Sequence, residues 1–186
     1  MSQPEILQSI KTLHQEMIDI IPNIETFFTP VEKSHITLLV FKAEEDRSVE
    51  VHELFKKISK EFSDYLKAKE TESVEVEFSG LGSFDKRVLF LHPMTNLELL
   101  AKLNSLLFEA FSDAGFLCDP NFNPHLTIAK AGKRKSELGI PTSFIEAYKE
   151  KSFGIEAVSK LQLLSMEKPA GSDGYYALEL ESKLFG

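Results

Sequence analysis

The chain has one cysteine, Cys118, and no tryptophan among its 186 residues. A single cysteine excludes an internal disulfide and fits a reducing compartment. Because no cation adjoins Cys118 in the sequence, we interpret it as a small core residue and not a nucleophile. The chain also has no apolar run long enough to cross a membrane, and its first residues lack the features of a signal peptide. We therefore expect a protein of the cytosol or nucleus without a membrane partner.

The sequence has no excess of positive charge, since 21 Lys and Arg residues face 29 Asp and Glu residues, a net charge of -8. Such a chain is not expected to coat long nucleic acid through counterion release, although a short oligonucleotide held locally is left open. Four cations nevertheless lie close together, at Lys130, Lys133, Arg134 and Lys135. They form either a solvated loop or a group that steers an anion towards a nearby site.

The triplet His-x-Thr occurs twice, with His35 and Thr37 in the first copy and His125 and Thr127 in the second. Both copies lie in apolar runs that predict strands. Because side chains alternate along a strand, each His shares a face with its Thr, while the residue between them faces the other way. One copy would be weak evidence, since an interior histidine usually bonds a neighbouring carbonyl. Two copies in similar settings favour a functional site.

The elements around the two triplets form an internal repeat, in which His125 follows His35 by 90 residues. Each half is predicted as helix, motif strand, helix, strand, strand, with the leading helices at about 4–21 and 95–115. The repeat predicts one α+β domain, residues 1–186, with lobes at about 23–94 and 116–186 related by a pseudo-twofold axis around a central cleft. The first helix has no strand before it, so the chain either starts late or leaves an open sheet edge in that lobe.

Other candidate residues are assigned structural roles. His14 falls beside the apolar stripe of the first helix and is predicted to be a surface residue. Residues 80–86 are predicted to be the turn of a hairpin, because their two glycines fit neither the dinucleotide nor the P-loop pattern. His92, just before a capping box that begins at Thr95, is predicted to be structural and not catalytic.

Two histidines that face one another suit acid–base cleavage of a phosphodiester. A neutral imidazole takes a proton from water or a ribose hydroxyl, and an imidazolium protonates the departing oxygen. Thr37 and Thr127 would donate hydrogen bonds to the phosphate oxygens as charge builds there. We expect no metal and no cofactor, because the neighbours on the motif faces include neither Cys nor carboxylate, as a zinc site would need.

The sequence resembles the 2H phosphoesterase superfamily, and most closely the phosphoesterase-like domain of the A-kinase anchor protein seven group. The resemblance rests on four runs that match in order, namely HITLLV at 35–40, GLGSF at 80–84, FNPHLT at 122–127 and GYY at 174–176. It implies a bilobal LigT-like, 2H fold that binds nucleotide phosphate between His35, Thr37, His125 and Thr127. It also marks Phe84 as a base-stacking residue, although packing in the core would explain Phe84 equally well.

Three functions are compatible with this sequence. The first is a monomeric, metal-independent phosphodiesterase acting on 2',5'-linked or 2',3'-cyclic nucleotides or short RNA ends. The second is a module that binds AMP- or CMP-type nucleotides without hydrolysis, as part of a larger anchoring or RNA-processing protein. The third is a purely structural sheet protein, in which both His-x-Thr pairs would occur by chance. The four intact motif residues favour the first.

Overall fold

The computed structural model describes residues 3–131, 137–167 and 176–185, which form a mixed α+β fold. Its helices are α1 (Pro4–Ile20), α2 (Ser48–Ala68), α3 (Leu97–Asp113) and α4 (Thr142–Ala147). Its strands are β1 (Phe41–Lys42), β2 (Val74–Phe84), β3 (Val88–Pro93), β4 (Leu117–Cys118), β5 (Leu126–Lys130), β6 (Ser152–Val158), β7 (Lys160–Ser165) and β8 (Ala177–Lys183). Short 3₁₀ helices lie at Ile24–Phe27, Val31–Lys33 and Glu45–Arg47. None of the helices in the described ranges is long and apolar enough to cross a membrane.

The chain divides into two compact units that are each discontinuous in sequence. Unit 1 consists of Met1–Thr37, Glu75–Leu97 and Asn123–Ala157, and unit 2 of Leu38–Val74, Glu98–Phe122 and Val158–Gly186. These boundaries cut across the lobes expected at about 23–94 and 116–186, and both His-x-Thr triplets fall in unit 1. The organisation as one domain with a pseudo-twofold axis and a central cleft stays a prediction.

Unit 1 is built on a four-stranded sheet in the order β5-β3-β2-β6. Helix α1 begins with Pro4 in its first turn, which suits a residue without an N–H group. Its fully buried residues, Ile6, Ile10, Leu13 and Met17, recur at helical spacing and form the face that packs into the core. His14 lies on the same face and is only 8% exposed, so the prediction that it is a surface residue is wrong.

The hairpin of β2 and β3 differs from the prediction that residues 80–86 form a turn. Residues 80–84 belong to β2, whose Phe84 pairs with Val88, and only Asp85, Lys86 and Arg87 connect the strands. Asp85 and Lys86 both have positive φ, as a tight hairpin turn requires. Gly80 lies at a β-bulge and not in the turn, because the register of the two strands shifts between Ser79 and Leu81. Glycine in a strand often marks such a bulge.

Thr95 does not cap α3 as the sequence predicted. Its hydroxyl donates to the carbonyl of Glu75 at 3.0 Å and accepts from the N–H of Glu77 at 2.9 Å. Thr95 therefore connects the segment that precedes α3 to strand β2. The helix itself begins two residues later, at Leu97, and ends at Asp113.

Unit 2 contains α2, α3 and two small sheets, β1-β4 and β7-β8. Helix α2 buries one apolar face, which comprises Val51, Phe55, Ile58, Phe62 and Leu66. A second apolar cluster joins Phe41 of β1 to Phe111 of α3, with ring centroids 4.4 Å apart, and Cys118 of β4 pairs with Phe41. The turn expected at residues 168–174 lies outside the described residues.

Candidate active site

The two His-x-Thr triplets lie side by side in unit 1. Ile36 and Leu126, the middle residues of the triplets, form an antiparallel β-bridge. Continuing this register by one residue on each side sets His35 opposite Thr127 and Thr37 opposite His125, all on one face. Such opposed residues have Cβ atoms roughly 4.5 to 5.5 Å apart. The four residues selected from the sequence are therefore brought together.

The local structure of the two triplets differs from the two full strands that the sequence predicted. Thr127 lies in β5, and His125 directly precedes that strand. The first triplet is held by the single bridge at Ile36, and the regular strand after it starts only at Phe41. A 3₁₀ helix, Val31–Lys33, ends just before His35 and interrupts the pairing that Phe28 makes with Ala129 of β5. The first triplet is thus an extended segment at the edge of the sheet.

Both histidine rings are oriented in the same way by the backbone. Nδ1 of His35 bonds the carbonyl of Lys33 at 3.2 Å, and Nδ1 of His125 bonds the carbonyl of Asn123 at 2.7 Å. A carbonyl only accepts, so Nδ1 carries the hydrogen in each ring. The neutral tautomer then leaves a lone pair on Nε2, which is the atom that can take a proton from a substrate.

The electrostatic setting of His35 favours its neutral form. Burial lowers the pKa of His35, the hydrogen bond that its ring donates to the Lys33 carbonyl raises it, and the positive charge of His125 lowers it further. The two imidazoles are therefore close enough for the charge on one to influence the other. Both rings are half-buried, Thr127 is half-buried and Thr37 is exposed, so a ligand can reach all four.

An aromatic cluster borders His125. The Phe84 ring meets the His125 ring edge-on with centroids 4.9 Å apart, and it stacks on Phe90 at 4.2 Å. Phe90 is 5% exposed and also contacts the His125 ring at 5.3 Å. Phe84 itself is half-buried, so it packs against the core and still presents part of its ring. Its assignment as a base-stacking residue stays a prediction.

Sequence reasoning missed Phe90 and His14 as neighbours of the site. Phe90 pairs directly with Thr127 across β3 and β5, which no spacing within one strand could reveal. The buried His14 bonds the carbonyl of Ile128, the residue after Thr127. Its spacing from Ile10 and Met17 was the available signal, because those three positions share one helical face.

The other predicted binding groups are not brought to the two triplets by the described residues. Lys130 is exposed at the end of β5, whereas Lys133, Arg134 and Lys135 lie outside the described residues, as do Gly174 and Tyr175. Within the parts of the chain that the structure describes, no three His, Cys, Asp or Glu side chains are grouped as they would be to hold a metal ion. A cavity of about 330 Å³ lies in unit 2 between α2 and β8, and none of the motif residues lines it.

The whole chain is similar to a known protein family and to one human protein. The family model for the AKAP7 2'5' RNA ligase-like domain matches residues 1–184. Human A-kinase anchor protein 7 isoform gamma is 27% identical over 190 residues, covering 94% of this chain and 52% of the human protein. The chain thus spans about half the length of that relative.

Solved structures show the same fold. A crystal structure of E. coli LigT complexed with 3'-AMP matches with a TM-score of 0.57 and 14% identity, covering 95% of this chain and 91% of LigT. A structure of the same protein complexed with NADP+ matches with a TM-score of 0.58 and 16% identity, covering 99% and 94%. The expected α+β, LigT-like fold is therefore confirmed. The match of the family model over nearly the whole chain shows that it belongs to the AKAP7 2'5' RNA ligase-like domain family.

Proposed function

We propose that this chain is a metal-independent phosphodiesterase that hydrolyses 2',5'-linked or 2',3'-cyclic nucleotides or short RNA ends. The observation that carries the proposal is the bridge between Ile36 and Leu126, because it brings both His-x-Thr triplets onto one face. A second support is the matched Nδ1 hydrogen bond of each histidine, which places the lone pair of the neutral ring on Nε2.

The mechanism divides the proton transfers between the histidines. His35 is the general base, since burial lowers its pKa and keeps its Nε2 unprotonated near neutral pH. Nε2 takes a proton from water as the water oxygen attacks phosphorus. His125, as the imidazolium, donates its Nε2 proton to the leaving ribose oxygen as the bond from phosphorus to that oxygen breaks. Each transfer contributes roughly 10²- to 10⁴-fold to the rate.

Thr37 and Thr127 stabilise the phosphate in the transition state. Their hydroxyls donate hydrogen bonds to the non-bridging oxygens, where negative charge increases during attack. The register sets each Thr opposite the His of the other triplet, so one histidine and one threonine act on each side of the phosphorus.

The net charge and the ligands of related structures support the proposed substrate class. A net charge of -8 disfavours binding of long polyanions. Short nucleotides, bound at the face that carries both His-x-Thr triplets, are compatible with this charge. Two E. coli LigT structures contain 3'-AMP and NADP+, and this supports a nucleotide ligand here. A monomer in the cytosol or nucleus completes the proposal.

The test is hydrolysis of a substrate panel in EDTA, comprising 2',5'-linked triadenylate, nucleoside 2',3'-cyclic phosphates and a 3',5'-linked oligonucleotide. Cleavage of one class by the wild type is expected, with loss in both His35→Ala and His125→Ala. His52→Ala is the matched control, because His52 lies in unit 2 on α2, 3.5 Å from Glu179. No cleavage of any class, together with AMP binding that both variants lose, would replace the phosphodiesterase with a nucleotide-binding module.

A further inference from the structure

A third histidine, His92, lies on the face that carries both triplets. Strand β3 pairs with β5 through Phe90 opposite Thr127 and Leu91 opposite Leu126. Continuing this register by one residue sets His92 opposite His125. The ring contacts agree, because Phe90 meets both the His92 ring, at 5.0 Å between centroids, and the His125 ring.

The sheet registers together place four polar side chains in one row across neighbouring strands. His92 pairs with Ser79 of β2, and extending the neighbouring registers by one residue sets His92 opposite His125 and His125 opposite Thr37. Opposed residues on neighbouring strands have Cβ atoms roughly 4.5 to 5.5 Å apart. A group held by His92 would therefore lie one side chain away from the proposed acid His125.

The environment of His92 does not explain it as a structural histidine. It is exposed, and its ring makes no hydrogen bond within the described ranges of the chain. Phe90 supports the ring edge-on, and Gly82 beside it has no side chain to cover it. A Cβ at Gly82 would approach Nε2 of His92 to 2.6 Å and two ring carbons of Phe90 to 2.5 Å. Glycine at this position thus keeps the space in which both rings lie.

We propose that His92 is a substrate-binding residue on which the nucleobase next to the scissile phosphate stacks. This inference deepens the proposed function and rests on it for the position of the phosphate. Histidine is one of the side chains on which unstacked bases stack, and the exposed imidazole of His92, in edge-on contact with Phe90, offers a ring surface for stacking. His92 takes no part in proton transfer, so it acts on affinity for the nucleoside and not on the chemical step.

The test compares adenosine 5'-monophosphate with ribose 5-phosphate, which lacks the base, by isothermal titration calorimetry. Wild type should bind the nucleotide more tightly, and His92→Ala should weaken nucleotide binding by about tenfold or more, as expected for loss of one base stack. Ribose 5-phosphate should bind both proteins equally. His92→Phe keeps a ring without polar atoms and should retain nucleotide binding, whereas His92→Lys should not.

Two results would overturn the stacking assignment. Retention of binding by His92→Lys and its loss in His92→Phe would show that the site recognises a phosphate charge instead of a base. Equal wild-type affinity for the two ligands would show that no base is held at this face. Circular dichroism of each variant, with His52→Ala as the matched histidine control, separates binding effects from misfolding.

Failure of the inference and failure of the proposed function give different results. If the proposed function holds, His92→Ala should raise KM for the cleaved substrate by about the same factor and leave kcat nearly unchanged. Cleavage with no effect of His92→Ala would remove the inference and keep the phosphodiesterase. Nucleotide binding that depends on His92, without cleavage of any substrate, would keep the inference and remove the phosphodiesterase.

Discussion

His14 donates a hydrogen bond from Nε2 to the main-chain carbonyl of Ile128, 3.1 Å away. The same carbonyl accepts the N–H of Thr29 at 2.9 Å, and the His14 ring stacks on Phe28 with centroids 3.8 Å apart. Because Ile128 directly follows Thr127, this buried histidine fixes the strand that carries the second triplet. Its ring has to stay neutral to do so without burying a charge.

The stability of the protein should therefore fall in mild acid. Burial lowers the pKa of His14 to about 4, while its ordinary value is 6.5. The unfolded chain takes up a proton first, so stability is intact above about pH 6.5 and is lost as the pH falls towards about 4, by at most about 3 kcal/mol. Urea unfolding at a series of pH values measures this loss.

His14→Phe is the matched variant for that experiment. It keeps an aromatic ring for Phe28 and removes the titrating group, at a cost of about 1 kcal/mol at neutral pH for the lost hydrogen bond. Its stability should fall less steeply with acid than that of the wild type. A residual slope is expected from His35, whose pKa burial also lowers. An equally steep slope in the variant would show that His14 is not the source.

The pH dependence of the reaction should reflect the lowered pKa of His35. Burial disfavours its cation, so the neutral base persists to a lower pH than for a free imidazole. We expect the acid limb of the kcat/KM profile to have its midpoint below about 6.5. A midpoint above this value would contradict the assignment of His35 as the base.

A direct titration separates the contribution of His125. Its positive charge lowers the pKa of His35, so His125→Ala should raise that pKa. Proton NMR of the His35 ring, with His52→Ala as a control for resonance assignment and fold, gives the value without any need for activity. An unchanged or lower pKa of His35 in His125→Ala would show that the two rings do not interact.

The threonine hydroxyls should contribute to kcat. Thr37→Val and Thr127→Val each remove one donor from the phosphate, and loss of such a donor typically costs about 10²- to 10³-fold in kcat. Thr37→Ser and Thr127→Ser keep the hydroxyl and should retain most of the activity. Thr37 is exposed, so its replacement should leave the thermal midpoint unchanged. A Val variant with wild-type kcat would remove that threonine from the mechanism.

The sequence predicted the α+β, LigT-like fold and the proximity of the two triplets, while the role of the triplets as a site stays a prediction. Alternation along a strand placed each His and Thr on one side, and duplication of the triplet predicted that the pairs would meet; the bridge at Ile36 and Leu126 brings them together. Helix α1 was also predictable, because its buried residues recur at helical spacing. Both predictions rest on the regular spacing of residues within one strand or one helix, which can be seen directly in the sequence.

Three of the errors arise from tertiary contacts that local patterns do not report. His14 was placed on the surface because nothing near it identifies the Ile128 carbonyl, 114 residues away. Residues 80–84 were assigned to a turn because two glycines usually mark one, whereas here Gly82 makes room for rings from β3. Thr95 was assigned as a cap because its bond to Glu75, 20 residues earlier, cannot be read from spacing. Tertiary contacts overrode local propensity in each case.

Gly82→Ala tests whether the face around His125 depends on the position of the Phe90 and His92 rings. The new Cβ would lie 2.5 Å from Phe90 ring carbons and 2.6 Å from Nε2 of His92, so both rings have to move. Phe90 also packs on Phe84 and His125, and overpacking of this kind typically costs about 1–3 kcal/mol. We expect a lower urea midpoint and weaker AMP binding than in Ser83→Ala, the neighbouring control on the other face of β2. Wild-type stability and affinity in Gly82→Ala would show that these rings adjust freely, and the face would then not depend on their positions.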